Sequence, residues 1–209
     1  MTDAHNMSAI AAGVDGDAPD GLIIARSRAE PEQFAMLFRR HAAALGRYAA
    51  RRLGPGTAED IVAETFLAAF RQRDRYDVTR ADARPWLYGI AGNLIRRHRR
   101  EEIRQLRAMI RTAPGTVAES FTDRSDSRLA ADGSRDAVAA ALAGLGPGQR
   151  DVVLLIAWAD LTYDQVAEAL GVPEGTVRSR MNRARARLRA ALGGSDPTRV
   201  PDRQEYHHG

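Results

Sequence analysis

The sequence predicts an all-α protein: two small helical domains, each built on its own apolar faces, joined by a flexible linker. Three observations carry this. Apolar residues recur at three- and four-residue steps along most of the 209 positions, and nothing reads as a strand-rich sheet. The pattern lapses at "TAPGTVAESFTDRSDSRLAADGS", Thr112 to Ser134, which is rich in Gly, Ser, Thr and Asp and has few large apolar side chains. Near the C-terminus, two short helical patterns flank a glycine turn, the grammar of a helix-turn-helix. The expected layout is a disordered leader over 1–25, a first domain over 26–111, the linker over 112–135, a second domain over 136–192 and a disordered tail over 193–209.

The leader, "MTDAHNMSAIAAGVDGDAPDG", has no basic stretch before its short apolar patch, so it is expected to be a disordered leader rather than a signal peptide. The first helix is expected to begin near Pro31, a good first helical residue. Phe34, Leu37, Phe38, Leu45, Tyr48 and Ala49 form its stripe, with His41 and Ala42 filling the gap, and "LGPGT" ends it. The second helix is expected to be capped by Thr57, with Asp60 three residues on, and to bury Val62, Phe66, Ala69 and Phe70. The third opens at "DARPW" with Pro85 in its first turn, faces Leu87, Ile90, Ala91 and Leu94 inward, and runs to about Arg111. After the linker, "RDAVAAALAGL", "GPGQRDVVLLIAWAD" and "TYDQVAEALG" supply three helices, and the Arg-rich segment from Pro173 supplies a fourth.

Composition removes several classes of chemistry. There are no cysteines, so disulfides, Cys-based zinc sites and thiol nucleophiles are excluded; this agrees with a reducing cytoplasm, the expected location. No stretch is long and apolar enough to span a bilayer. All 31 basic residues are Arg, and although the net charge is only +4, the positive charge gathers in two places. His41 and His98 are isolated on helical patterns, and His207 and His208 lie in the polar tail. With no phosphate-binding glycine loop, metal-ligand spacing or triad, no enzyme, metal or cofactor is expected.

The first basic cluster lies in "GVPEGTVRSRMNRARARLR". Upstream of it, Thr162 with Gln165 makes a capping box, and Gly171 suits the left-handed residue that ends a helix. At about 100° per residue, Val177, Met181, Ala184, Leu188 and Leu192 fall on the inner side of the next helix. Opposite lie Ser179, Asn182, Ala186 and Ala190, all small or short. Arg178, Arg185 and Arg189 flank this strip on one edge, and Arg180, Arg183 and Arg187 on the other. Such a helix suits a major groove: small residues admit the backbone, and guanidiniums reach phosphates or guanine edges. Base contacts are expected from its N-terminal half, near Ser179, Asn182 and Arg183.

The second cluster is "NLIRRHRREEIRQLR". Trp86, Asn93, Arg97, Arg100 and Arg104 are spaced seven, four, three and four, so they share one helical face. Arginines there would track a backbone, the amide would read an unpaired base edge, and the aromatic would stack or wall a pocket, unless Trp86 is core. On the second helix Asp60, Glu64, Leu67 and Arg71 share the face opposite Phe66 and Phe70. An exposed Leu ringed by charges suits a protein partner, although single exposed leucines are common.

"AEDIVAETFLAAFRQRDRYD" followed by "ARPWLYGIAGNLIRRHRR" resembles conserved region 2 of sigma-70 family sigma factors, and "LGPGQRDVVLLIAWADLTYDQVAEALGVPEGTVRSRMNRARARLR" resembles region 4. With only a short linker between them, the chain looks like the extracytoplasmic-function (ECF, group IV) type. The resemblance implies a promoter-specificity subunit whose partners are core RNA polymerase (its clamp helices and flap), promoter DNA and, in many relatives, an anti-sigma protein. Carried over by position, Asp60, Glu64, Phe66 and Leu67, with Arg71 beside them, would dock on polymerase, Phe66 serving mainly as core. Asn93 would hold a flipped base of the −10 element, beside Trp86 and the loop Thr79–Arg84, with Arg97, Arg100 and Arg104 along the strand. Ser179, Asn182 and Arg183 would read the −35 duplex, with Thr176, Arg178, Arg180 and Arg187 at the same interface. Ala63 stands where many relatives carry Gln. The competing reading is a helix-turn-helix regulator that binds duplex DNA without polymerase; it leaves "WLYGIAGN" and the Asp60/Glu64 face unexplained.

Overall fold

A computed structural model describes residues 18–112 and 133–193, and among these there are eight α-helices and no strand. The N-terminal unit consists of α1 (Asp20–Ser27), a 3₁₀ turn (Pro31–Phe34), α2 (Ala35–Leu53), α3 (Pro55–Gln72), a second 3₁₀ turn (Arg73–Arg75) and α4 (Arg84–Thr112). The C-terminal unit is α5 (Gly133–Ala143), α6 (Pro147–Ala159), α7 (Tyr163–Leu170) and α8 (Glu174–Ala191). Residues 113–132 of the linker and 194–209 of the tail lie outside the described residues.

The N-terminal core follows the sequence stripes with local corrections. Leu37, Leu45, Tyr48 and Ala49 of α2 are buried against Val62, Phe66 and Ala69 of α3 and against Leu87, Ala91 and Ile95 of α4. Edge-on aromatic pairs tie the helices, Phe34 to Phe70 at 5.3 Å and Tyr48 to Tyr88 at 5.1 Å between ring centroids. Phe38 is 46% exposed rather than interior; it leans edge-on against Phe66 from the rim, 5.0 Å between centroids. The first helix starts later than Pro31, after a 3₁₀ turn, and α3 starts earlier than Thr57. Gly54, at the positive φ of 86° that favours glycine, separates the two helices and Pro55 occupies the first turn, so Thr57 sits inside the helix.

The expected disordered leader is corrected over its last residues. α1 packs Ile23 and Ile24 fully into the core, and Asp20 is 3% exposed. Its backbone is tied to the loop before α4 by the Asp20 amide, which donates to the Ala81 carbonyl at 2.8 Å. Gly21 is needed there, because a Cβ would overlap the carbonyls of Val78 and Arg80.

In the C-terminal unit, Arg150 of α6 donates to the carbonyls of Leu142 (2.9 Å), Ala143 and Leu145 (3.3 Å), satisfying the exposed acceptors at the end of α5. The helix-turn-helix forms as expected. The Gln165 amide donates to Thr162 Oγ1 and the Thr162 amide donates back to Gln165 Oε1 at 3.0 Å, closing the capping box. Gly171 ends α7 at φ 62°, and Val177, Met181, Ala184 and Leu188 of α8 are buried. The two units also pack on one another, α4 against α7 and α2 against α6, so their buried residues form one continuous core.

Candidate nucleic-acid interface

α8 presents its basic strip because the opposite stripe is fully committed to packing. Asn182, Arg183, Ala186, Arg187 and Arg178 are exposed, while Thr176, Ser179 and Arg180 are half-buried. Three of the expected contact residues have partners within the unit. Arg178 is paired with Glu174 one turn back at 2.6 Å, Arg187 donates to Gln149 Oε1 at 3.1 Å, and the Ser179 hydroxyl donates to the Thr176 carbonyl at 3.1 Å. Arg180 folds its guanidinium over Gly148, where a Cβ would come within 3.3 Å of it. Arg183 has no ion-pair partner among the described residues, and it stands one helical step from Asn182 on the exposed side. These two side chains are therefore the best placed to enter a groove.

α4 carries the second face. Asn93, Arg97, Arg100 and Arg104 are all exposed, as their spacing predicts. Arg97 is braced by Glu101 at 2.9 Å, and Arg104 approaches the same carboxylate at 3.7 Å. That bracing holds the Glu101 carboxyl below its ordinary value. Trp86 is half-buried: it packs against the core and meets the Tyr76 ring at a tilt, with centroids 4.8 Å apart at 47°. Tyr76 in turn shapes the loop before α4, its hydroxyl donating to the carbonyls of Arg80 (3.1 Å) and Asp82 (3.2 Å). Burial pushes that phenol well above its usual value, helped by Glu168, Asp20 and Asp82, so it stays a donor. Asp82 is the loop's anchor for Arg84, at 2.8 Å. Although burial pushes its carboxyl up, the Arg84 hydrogen bonds and charge outweigh this and hold it below the ordinary range.

The third expected surface is on α3. Asp60, Glu64 and Arg71 are exposed and Leu67 is 48% exposed, all on one side. Phe66, 6% exposed, lies in the core beneath them, in keeping with the mainly core role expected of it. A shallow cleft of about 220 Å³ between α3 and α4 is lined by Asp60, Glu64, Leu94, Arg97 and Glu101.

Sequence reasoning missed a set of charges at the junction of the two units. Asp151 of α6 pairs with Arg52 of α2 at 2.9 Å and with Arg96 of α4 at 3.0 Å. Arg96 also donates to Asn93 Oδ1 at 2.6 Å. Gln165 donates to Asp82 at 2.9 Å, and Arg80 pairs with Glu168. The one available signal was Asp151 itself, an acid opening the run "DVVLLIAW", whose first residues are all buried.

Comparison with known proteins agrees with this geometry. Residues 37–105 match the family model described as Sigma-70 region 2, and residues 135–188 match Sigma-70, region 4. The chain is 34% identical over 167 residues to the ECF RNA polymerase sigma factor SigL of Mycobacterium tuberculosis, covering 78% of this chain and 91% of that one. It is 33% identical to the RNA polymerase sigma factor NccH of Alcaligenes xylosoxydans xylosoxydans, covering 82% and 94%. Among solved structures it resembles CnrH in complex with the cytosolic domain of CnrY, with TM-score 0.59, 29% identity and coverage of 84% of this chain and 98% of that one. It also resembles the sigma factor RpoE bound to the anti-sigma factor NepR from Bartonella quintana, with TM-score 0.54, 25% identity and coverage of 78% and 98%. With both conserved regions present in order and relatives matched over nearly their whole length, the chain belongs to the ECF sigma factors of the sigma-70 family.

Proposed function

We propose that this chain binds core RNA polymerase, directs it to promoters and assists their melting. The observation that carries this is the pairing, on one chain, of two basic helices of different build. α8 backs a strip of short residues with a wholly buried stripe, the form of a duplex reader. α4 combines an exposed amide, a wall of Tyr76 and Trp86 and a ladder of arginines, the form of a reader of unpaired bases.

In this reading Asp60, Glu64, Leu67 and Arg71 dock on the polymerase clamp helices, and the C-terminal unit meets the flap. Asn93 holds a flipped −10 base beside Trp86, with Arg97, Arg100 and Arg104 along the strand. Asn182 and Arg183 read −35 base edges; Thr176, Arg178, Ser179, Arg180 and Arg187 position the helix on the phosphates. Tethering the two DNA contacts raises their joint affinity through effective concentration. The chain itself does no covalent chemistry, and it works where the polymerase is. An anti-sigma protein is a proposed regulator, in keeping with the complex in which the RpoE neighbour was solved. No helix among the described residues is long and apolar enough to cross a membrane.

The test is capture of core polymerase by the purified chain, then run-off transcription on a genomic library. Stable capture and new, discrete transcript starts are expected. Failure to capture core, together with tight binding of a symmetric duplex site, would replace this reading with that of a stand-alone regulator.

A further inference from the structure

We propose that α1 is a clasp for the loop ahead of α4: it fixes the backbone of residues 73–83, and through that backbone it sets how strictly a −10 base is chosen. The proposal rests on the placement of that base beside Trp86 and the loop Thr79–Arg84. It makes Gly21 and Arg28 positioning residues rather than base contacts.

Between Arg75 and Arg84 the chain forms no helix, and Asp77, Val78, Thr79, Arg80 and Ala81 are exposed. Such a stretch samples many backbone conformers unless contacts repay the entropy of ordering it. Here α1 and its C-cap residue Arg28 hold it at both ends and in the middle. At the entry, Arg28 Nη2 donates to the carbonyls of Arg73 (3.3 Å), Asp74 (3.2 Å) and Tyr76 (3.0 Å). Arg73 Nε donates in return to the Ser27 carbonyl at 3.2 Å. At the exit, the Asp20 amide donates to the Ala81 carbonyl at 2.8 Å, and the Asp20 carboxylate accepts from the Ala83 amide at 2.9 Å. In the middle, Gly21 lets α1 lie directly on the loop, since a Cβ there would stand 2.5 Å from the Val78 carbonyl oxygen.

Tyr76 links this clasp to the proposed base position. Its hydroxyl donates to the carbonyls of Arg80 and Asp82, and its ring meets Trp86. The contacts from α7 are of another kind, because they fall on loop side chains: Gln165 on the Asp82 carboxylate and Glu168 on the Arg80 guanidinium. Those from α1 fall on the backbone. Selectivity follows from that rigidity. A fixed pocket rejects a wrong base because its own polar groups are left unpaired, whereas a loose one shifts to meet it.

Gly21→Ala and Arg28→Ala test this, with Arg28→Lys as the conservative control that keeps the charge and the donors. Gly21 has no positive φ, so alanine brings no backbone strain and raises helix propensity. Its effect comes from parting α1 and the loop by about 1 Å, the shortfall from an ordinary contact. Arg28 is exposed, so its truncation leaves the core intact and carries the test alone if Gly21→Ala melts early.

In the free chain, hydrogen exchange at the amides of residues 77–83 should rise at least about threefold in both alanine variants, with α8 unchanged. Polymerase carrying each form then transcribes a promoter recovered by run-off mapping and randomised at its −10 and −35 elements. Preference for the best over the second −10 base should fall about three- to tenfold in the alanine variants, while −35 preference stays within about twofold and Arg28→Lys stays near the parent. Comparing bases within one protein cancels any general loss of affinity or charge. The clasp is overturned if exchange is unchanged in both variants, if −10 preference holds while exchange rises, or if −10 and −35 preferences relax together. Faster exchange with no transcripts from any form, the parent included, would instead mark failure of the promoter reading, and the proposed effect on base choice would fall with it.

Discussion

Asp20 and His41 meet inside the N-terminal unit, the carboxylate Oδ2 lying 2.8 Å from the imidazole Nε2, with both side chains at 10% exposure or less. The same oxygen accepts from the Ala83 amide at 2.9 Å, and Oδ1 accepts from Arg40. One side chain thus joins α1, α2 and the loop that positions α4. Burial pushes the Asp20 carboxyl up, but the hydrogen bonds from His41, Ala83 and Arg40 and the His41 charge outweigh it, and the carboxyl is held below its ordinary value.

Asp20→Ala should therefore cost about 3–5 kcal/mol, because it strands buried partners of a carboxylate. Asp20→Asn keeps one acceptor and should cost less. The pH dependence follows from the sign. A carboxylate depressed in the folded state contributes stability above its unfolded value of about 3.9 and loses it as pH falls through the folded value. Urea midpoints measured between pH 6 and pH 2.5 should fall in the acid range for the parent and fall less steeply for Asp20→Asn. Parallel slopes for the two proteins would remove Asp20 from this role.

That network also shows what the sequence could and could not disclose. The α8 stripe, the Thr162/Gln165 capping box and the Gly171 turn are legible because each is fixed by residues within one or two helical turns. The exposed α3 and α4 faces follow from the same local periodicity. α1 is not legible: its short run "GLIIA" becomes a buried helix only because a loop about 60 residues later receives it, and Asp20 looks like a leader acid until His41, Arg40 and Ala83 converge on it. Thr57 was a reasonable cap by side-chain chemistry, but the positive φ of Gly54 with Pro55 behind it sets the start earlier. The Asp151 junction depends on how the two units meet, which no spacing rule encodes.

Asn93→Ala removes an exposed amide that accepts from Arg96 on the same helix, so the fold should be unaffected. Loss of two hydrogen bonds to an unpaired base is worth about 1–3 kcal/mol, or roughly five- to 150-fold. Permanganate reactivity of promoter thymines in the polymerase complex should drop by a factor in that range, while −35 duplex binding changes less than twofold. Equal losses in the two assays would point to a general defect instead.

Arg183 and Arg187 separate base reading from phosphate holding. Arg183→Ala should relax sequence choice at one −35 position, removing about 1–3 kcal/mol of discrimination. Arg187→Ala should weaken all duplexes alike and lower the slope of log affinity against log salt by about 1. Binding to a library of duplexes at two or three salt concentrations checks both. If Arg183→Ala weakened every sequence uniformly, it would join Arg187 as a backbone contact.

The polymerase surface can be separated from the core beneath it by two neighbouring positions on α3. Leu67 is 48% exposed and Phe66 is 6% exposed. Leu67→Ala should leave folding stability within about 0.5 kcal/mol of the parent. At the centre of a protein interface, however, such a truncation costs upward of about 1 kcal/mol, so affinity for core polymerase should fall at least roughly fivefold. Glu64→Arg, on the same exposed side, should act in the same direction through charge. Phe66→Ala should instead lower stability by about 3–5 kcal/mol, since it empties a packed position shared with Phe38. Thermal melts and equilibrium binding to labelled core on the three variants give the comparison. A Leu67→Ala chain that melts normally and binds core as the parent does would move the docking surface off α3.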